Sequence, residues 1–244
     1  MKRHQTRPLA ISMGTLVLPL LFLLLTSTAT IQKQHNSLAE RRENASVQPS
    51  PLPTAEPSPT VPPKQARIVV IDAGHGNADP GAAGASGKEE KEYTLAVAQA
   101  VYAELKADSR FELHLTRGDD SYVELLSRAA LAEELHANAL VSIHGNTFTS
   151  RSVSGTETYF YDDNSSELAG LIHSRLLEAM HFRDRGVRRN DWKILTHSSM
   201  PAVLTEIGYL TNPQEEAAML AEDGIRRAAQ AIAAALTEFF FPAA

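Results

Sequence analysis

The stretch IVVIDAGHG, residues 68–76, joins two patterns that rarely occur together. Ile68 to Ile71 form a short, all-apolar, β-branched run of the kind found in strands buried on both faces. The run then stops at His75, set between Gly74 and Gly76. A packed core gains nothing from a titratable ring at a strand tip, whereas a metal site or a catalytic site needs one. A lone histidine at such a place is more often a turn or surface residue. His75 therefore carries weight only if other polar residues fall at equivalent places in the chain.

Working outward, strand and helix patterns alternate. KEYTLAVAQAVYAELKAD reads as a helix with Leu95, Ala98, Tyr102 and Leu105 on one face. FELHLTR alternates as a second strand. SYVELLSRAALAEELHA opens with a capping box, Ser121-x-x-Glu124, and continues as a helix. NALVSIH is a third strand and again ends on a histidine, His144. GTETYFY is a fourth. NSSELAGLIHSRLLEAM reads as a helix capped by Asn164. WKIL and AVLTEIGYL read as two further strands, Asn212-Pro213 starts a helix, and IRRAAQAIAAALTEFF closes the chain as another. This order predicts an α/β fold: a single domain with a twisted, mostly parallel sheet of about six strands and helices on both faces.

In open sheets of this kind, ligands sit beyond the carboxyl ends of the strands. His75, His144 and Glu206, at the end of AVLTE, all fall there. Helix starts face the same edge, which adds one of the acids of KEEKE. Composition alone does not separate Glu89, Glu90 and Glu92, because acids at a helix start also suit the helix dipole. Two histidines and a carboxylate with one position left for water make a catalytic zinc site. Glycine on both sides of His75 suits close approach of backbone and substrate to a metal. Glu206 lies between Leu204 and Ile207, where an unpaired carboxylate is costly to bury. Asp72 either orients His75 or caps the turn, and Asn146, just past His144, is a further candidate for supporting a ligand or touching substrate. The chain has no cysteine, which excludes thiolate ligands, thiol nucleophiles and disulfides. Gly74-x-Gly76 lacks the full spacing of a nucleotide loop.

The N-terminal part has a different character. Lys2, Arg3 and Arg7 precede an uncharged, strongly apolar run from Pro8 to Thr30. Residues 1–30 are expected to be a secretory signal peptide or an N-terminal membrane anchor that leaves the rest extracytoplasmic. Residues 31–66, rich in proline and serine, read as a disordered linker. Residues 67–244 hold 16 lysines and arginines against 26 aspartates and glutamates, a formal charge of −10. A domain this acidic has no general means of gripping nucleic acid through counterion release.

Taken together, IVVIDAGHG, EKEYTLAVA, LTRGDD, SIHGN, GTETYF and PAVLTEIGYLTN resemble the zinc-dependent N-acetylmuramoyl-L-alanine amidases of bacterial cell walls, in the group with the AmiC-like and sporulation-associated enzymes. Each motif alone is weak; their order and spacing over residues 67–240 are specific. The resemblance implies His75, Glu90 and His144 as ligands of one zinc ion per chain, which settles the choice among the three acids. It implies Glu206 as the catalytic glutamate, and residues 67–244 as the catalytic domain. The implied reaction is hydrolysis of the amide between N-acetylmuramic acid and L-alanine in peptidoglycan, with Glu206 activating the metal-bound water.

The chain departs from the family at Ala132-Glu133, where Ala-Asn is common. Only 36 residues separate YFYDD from MPAVLTE, too few for the inhibitory helix of some members, which implies a site not shut by its own chain. The alternatives are another zinc peptidase on a similar sheet and a non-catalytic wall-binding module. Peptidoglycan and, through the N-terminal segment, the cytoplasmic membrane are the expected partners. No wall-binding repeat is visible, so a protein targeting partner is also expected.

Overall fold

The β-branched residues of the first strand alternate between two separate cores, and this sets the architecture. In β1 (Arg67–Ala73), Val69, Ile71 and Ala73 enter one cluster while Val70 enters the other. Successive side chains of a strand point to opposite faces, so both faces of the sheet must be covered. The computed structural model of the protein describes residues 65–243. The signal or anchor expected at 1–30, and the linker expected at 31–66 apart from Gln65 and Ala66, lie outside the described residues. Among the described residues no helix is long and apolar enough to cross a membrane.

After β1 come α1 (Glu90–Leu105), β2 (Phe111–Leu115), α2 (Leu125–Glu134), β3 (Ala139–Asn146), β4 (Thr156–Phe160), α3 (Ser166–Met180), β5 (Asp184–Arg189), α4 (Lys193–Thr196), β6 (Ala202–Tyr209), α5 (Pro213–Leu220) and α6 (Glu222–Phe240). They build a single α/β domain around a six-stranded sheet of order β2-β1-β3-β6-β4-β5. The first four strands in that order run parallel, and β4 pairs antiparallel with β6 and parallel with β5. One face is covered by α1, α3 and α6, whose Val97, Val101, Ile172, Leu176, Ile232 and Leu236 meet Ile71, Val141, Ile143 and Ile207. The other is covered by the shorter α2 and α4, against Val70, Leu140, Tyr159 and Leu204. The short helices leave the carboxyl end of this second face open.

Several local expectations are corrected. WKIL is not a strand: Ile194 and Leu195 both bury in the second core, which adjacent residues of a helical turn can do and adjacent strand residues cannot. The missing strand is Asp184–Arg189, a polar edge strand with no apolar alternation to announce it. Such charged edges resist pairing with other chains. The Ser121 capping box does not form; Glu124 itself caps α2, accepting from the amides of Leu126 at 2.8 Å and Ser127 at 3.3 Å. Asn164 does not cap α3, because a 3-10 turn at Asp163–Ser165 runs into that helix and Asn164 bonds Ser199 instead. Asn212 does cap α5, with proline at its first position. The buried stripe of α1 is Glu90, Tyr93, Thr94, Val97, Ala98, Val101 and Leu105, with Tyr102 exposed. The helix is thus rotated from the expected face, and the rotation carries Glu90 inward.

Candidate metal centre

On the face of the sheet that α2 and α4 cover, strand register places polar side chains side by side. Asp72 of β1 is level with Ser142 of β3, His144 of β3 with Glu206 of β6, and Glu206 with Glu157 of β4. Since β-strand side chains alternate, all of these project to the face that carries Val70, Leu140, Leu204 and Tyr159. His75 joins them from the turn after β1, and Glu90 from the first turn of α1.

Three of the predicted residues converge. The ligand atoms of His75, Glu90 and His144 all lie within 4.8 Å of one another. Glu90 Oε1 stands 2.9 Å from His144 Nδ1 and 3.1 Å from His75 Nε2. The imidazole rings meet edge to face, 4.9 Å between centroids. The remaining polar atoms of His75 and Glu90 are already committed. His75 Nδ1 is 2.9 Å from Asp79 Oδ2, Glu90 Oε2 accepts from the amide of Ala82 at 2.8 Å, and Oε1 also accepts from Gly145 at 3.1 Å. A carboxylate behind a ligating imidazole fixes its ring and tautomer, so Asp79, which sequence reasoning passed over, belongs to this centre. Its Oδ1 accepts from Gly81, tying the acid to its own loop.

The turn that carries His75 is held in an uncommon conformation. His75 has φ 63° and Asn77 φ 45°, in the left-handed region that only a few per cent of non-glycine residues enter. Two buried arginines hold it there. Arg128 donates to Asp72 Oδ1 at 2.8 Å and to the carbonyls of Ala73 and His75 at 2.6 and 2.8 Å. Arg117 donates to the carbonyls of Ala73, Gly74 and Lys91 at 3.0, 2.8 and 2.9 Å. Neither was anticipated. Their only sequence signal is an arginine next to apolar residues, in LTR and LSRAAL.

Asp72 has no direct contact with the His75 ring. It accepts from Ser142 Oγ at 2.6 Å, Thr116 Oγ1 at 2.7 Å and Arg128, and so reaches His75 through the Arg128 guanidinium and the backbone. Asn146 lines the groove in front of the centre and accepts from Thr147 at 2.7 Å, without touching the three ligands. Gly74 serves the centre differently from expectation: a Cβ there would collide with the His144 ring, so the glycine makes room for a ligand and not for substrate. Gly81, at φ +67°, faces the Glu90 carboxylate and the His75 ring in the same way.

The electrostatics favour a cation at the point of convergence. Burial works against charge on Glu90, yet its hydrogen bonds with both imidazoles hold its pKa well below the usual carboxylate range. Burial also works against a proton on His144, but Glu90 and then Glu206 outweigh it and raise the ring to about 9. The His75 pKa is raised too, in spite of burial, by its bonds with Glu90 and Asp79, and two imidazoles shifted in this direction mark a place of negative potential that suits a metal ion. Two imidazoles and one carboxylate, with no thiolate, are the donor set of catalytic zinc centres.

Glu206 is beside this cluster and is not one of the three. Its Oε2 is shielded from solvent and has no hydrogen-bond partner among the described residues. Burial is the main reason its pKa is raised, to about 7. Its neighbour Glu157 is fully engaged, accepting from Tyr159, from Arg185 and from Tyr209 Oη at 2.8 Å. The centre opens into a groove of about 910 Å³, walled by Tyr122, Asn146, Trp192, Lys193 and Leu204 as well as the site residues.

An open α/β sheet with three converging donor side chains, an unpaired carboxylate beside them and a solvent-facing groove is the arrangement of a candidate metal site in a hydrolase. The chain belongs to the N-acetylmuramoyl-L-alanine amidase family, whose model matches residues 69–238, and it is an enzyme of that class. It is 43% identical to the catalytic domain of CwlV, an N-acetylmuramoyl-L-alanine amidase from Bacillus (Paenibacillus) polymyxa var. colistinus, with a TM-score of 0.70 over 71% of this chain and 98% of that one. It is 39% identical over 182 residues to the uncharacterised protein YqiI of Bacillus subtilis, covering 73% of this chain and 87% of that protein. It is 32% identical over 164 residues to the probable cell wall amidase LytH of Staphylococcus saprophyticus, covering 66% of this chain. The chain spans about half the length of the LytH relatives, 54% in that case.

Proposed function

We propose that the protein is a zinc-dependent amidase that hydrolyses the bond between N-acetylmuramic acid and L-alanine, with Glu206 as its general base. The observation that carries this reading is the pairing of two carboxylates with opposite surroundings. Glu90 is locked between His75 and His144, and Glu206, one strand away, keeps an oxygen with nothing to bind. His75 Nε2, Glu90 Oε1 and His144 Nδ1 would hold one zinc ion, which when bound supplies Lewis-acid activation of the amide carbonyl and of water. Glu206 takes the proton of the attacking water and delivers it to the departing alanine nitrogen. Asp79 keeps the His75 ring in place, and Arg117 and Arg128 keep its backbone turned toward the groove. Asn146, on the groove wall, is placed to meet substrate rather than the metal.

The apolar N-terminal run and the proline-rich segment that follows suit delivery of residues 67–244 to the wall from a signal peptide or a membrane anchor. Purified peptidoglycan incubated with the protein should yield new L-alanine N-termini and unmodified glycan. A chelator should stop this and one equivalent of zinc restore it. Release of other peptide termini, or full activity in chelator, would reject the reading.

A further inference from the structure

A second cavity, of about 630 Å³, is lined by Arg151, Arg183, His181, Phe182 and Asn212 among others. It lies on the carboxyl rim of the sheet, where β5 and β4 begin and β6 ends. Its lining comes from the loop before β4, the segment before β5 and the segment after β6, and it shares no residue with the groove at the metal centre. The loop from 147 to 155 crosses the end of β6 between the two. It is pinned there by Phe148 on Thr211 Oγ1 at 3.0 Å and by Asn212 Nδ2 on the carbonyl of Val153 at 3.2 Å. The cavity is therefore a separate place and no extension of the groove.

Its charge is unusual for this molecule. The domain carries −10 overall, yet two of the residues that line this cavity, Arg151 and Arg183, are arginines and only one, Glu215, is an acid. Among the described residues the side chains of Arg151 and Arg183 take part in no ion pair or hydrogen bond. The acid that lines the cavity, Glu215, forms no ion pair with either of them, and the cavity keeps an excess of positive charge. Glu215 is buried, and its two oxygens accept from the amides of Gly155 and Tyr209, each at 2.7 Å. Along β5, Arg188 is exposed and bonds only the carbonyl of Arg185, and Lys193 stands on the groove wall. Two free guanidiniums in one cavity, on an acidic domain, form a receptor for carboxylates, which they bind in forked geometry.

We propose that this cavity is a docking site for the acidic peptides of intact peptidoglycan, engaging a peptide next to the one held at the metal centre. The proposal rests on the amidase reading, because the occupant is the substrate polymer itself. A second contact on one polymer raises affinity for the wall without any change at the reacting amide.

The test measures co-sedimentation of the full chain, carrying Glu206→Gln to suppress turnover, with peptidoglycan stripped of phosphate polymers. Adding Arg151→Ala and Arg183→Ala should weaken retention about five- to thirty-fold, from two exposed ion pairs of ordinary strength. Amidating the wall carboxylates should weaken the parent to the same degree and leave the arginine variant almost unaffected. Arg151→Lys with Arg183→Lys, which keeps both charges but loses the forks, should bind between the parent and the alanine variant. In the otherwise active chain, the two alanine substitutions should leave cleavage of a small soluble muramoyl peptide unchanged. Undiminished retention of the alanine variant, retention that depends on phosphate polymers alone, or an equal loss on the small substrate would each overturn the proposal. Retention is read without turnover, so a failed amidase assignment would appear separately, as the absence of amide cleavage by the unsubstituted chain.

Discussion

Glu90 and Glu157 are both almost completely buried, at 5% and 4% exposure, and both accept several hydrogen bonds. Their partners make them different. Glu90 faces two imidazoles, which can release their protons to a metal ion. Glu157 faces a guanidinium and two phenols, which keep theirs. The first is a carboxylate with exchangeable partners and the second a carboxylate with permanent ones. In the sheet, Glu206 lies between Glu157 and His144, with an oxygen that has no partner among the described residues. In the proposed function one residue type thus supplies a ligand, a base and a brace, a reading argued from what each side chain faces.

The largest effect should come from emptying the first of these positions. Glu90→Ala removes the group that both imidazoles share, so zinc measured by elemental analysis should fall from one per chain to near zero, and activity with it. Glu206→Gln should leave the zinc in place and lower turnover about 10²- to 10⁴-fold, the usual contribution of a general base. Loss of zinc in that variant, or retention of most of the rate, would put Glu206 in the wrong class. Asp79→Asn should preserve the fold and weaken zinc about 10- to 100-fold, as removal of a carboxylate behind a ligating imidazole generally does. Competition with a chelating dye would read this directly.

Much of this arrangement is legible in the sequence, and the reasons for success and failure are physical. His75, His144 and Glu206 are visible because each interrupts an apolar strand at the end where ligands sit. Glu90 is not distinguishable from Glu89 and Glu92 by composition; the family resemblance selects it, and the rotation of α1 buries it. Strand β5 is missed because an exposed edge needs no apolar alternation. Arg117 and Arg128 are missed because a buried arginine looks like any other until the carbonyls it satisfies, those of residues 73–75, are placed in space. Glu157 sits in GTETYF as an ordinary outward residue of a strand, and its partner Arg185 lies on the strand that the pattern conceals.

The smallest catalytic effect, and the clearest structural one, is expected at that brace. Glu157→Gln keeps the size of the side chain but removes the charge opposite Arg185 and one of the two acceptor oxygens, so the bonds donated by Tyr159 and Tyr209 cannot both be kept. Breaking such a partly exposed set should cost about 1–3 kcal/mol, read as a lower Tm. Zinc should remain at one equivalent and turnover should change by less than tenfold, since Glu157 touches neither ligand nor groove. Acid should separate brace from ligand further. Burial pushes the Glu157 pKa up, but the bonds from Tyr159, Arg185 and Tyr209 more than reverse this and leave it below the ordinary carboxylate value. The folded chain therefore binds fewer protons here than the unfolded one. The stabilisation is complete above the unfolded pKa and is lost as pH falls through the depressed folded one. The unsubstituted protein should lose Tm over that acidic window more steeply than Glu157→Gln, which has no proton to take up. Parallel curves would mean that the Glu157 pKa is not depressed by folding, and that the contrast with Glu90 lies in geometry alone.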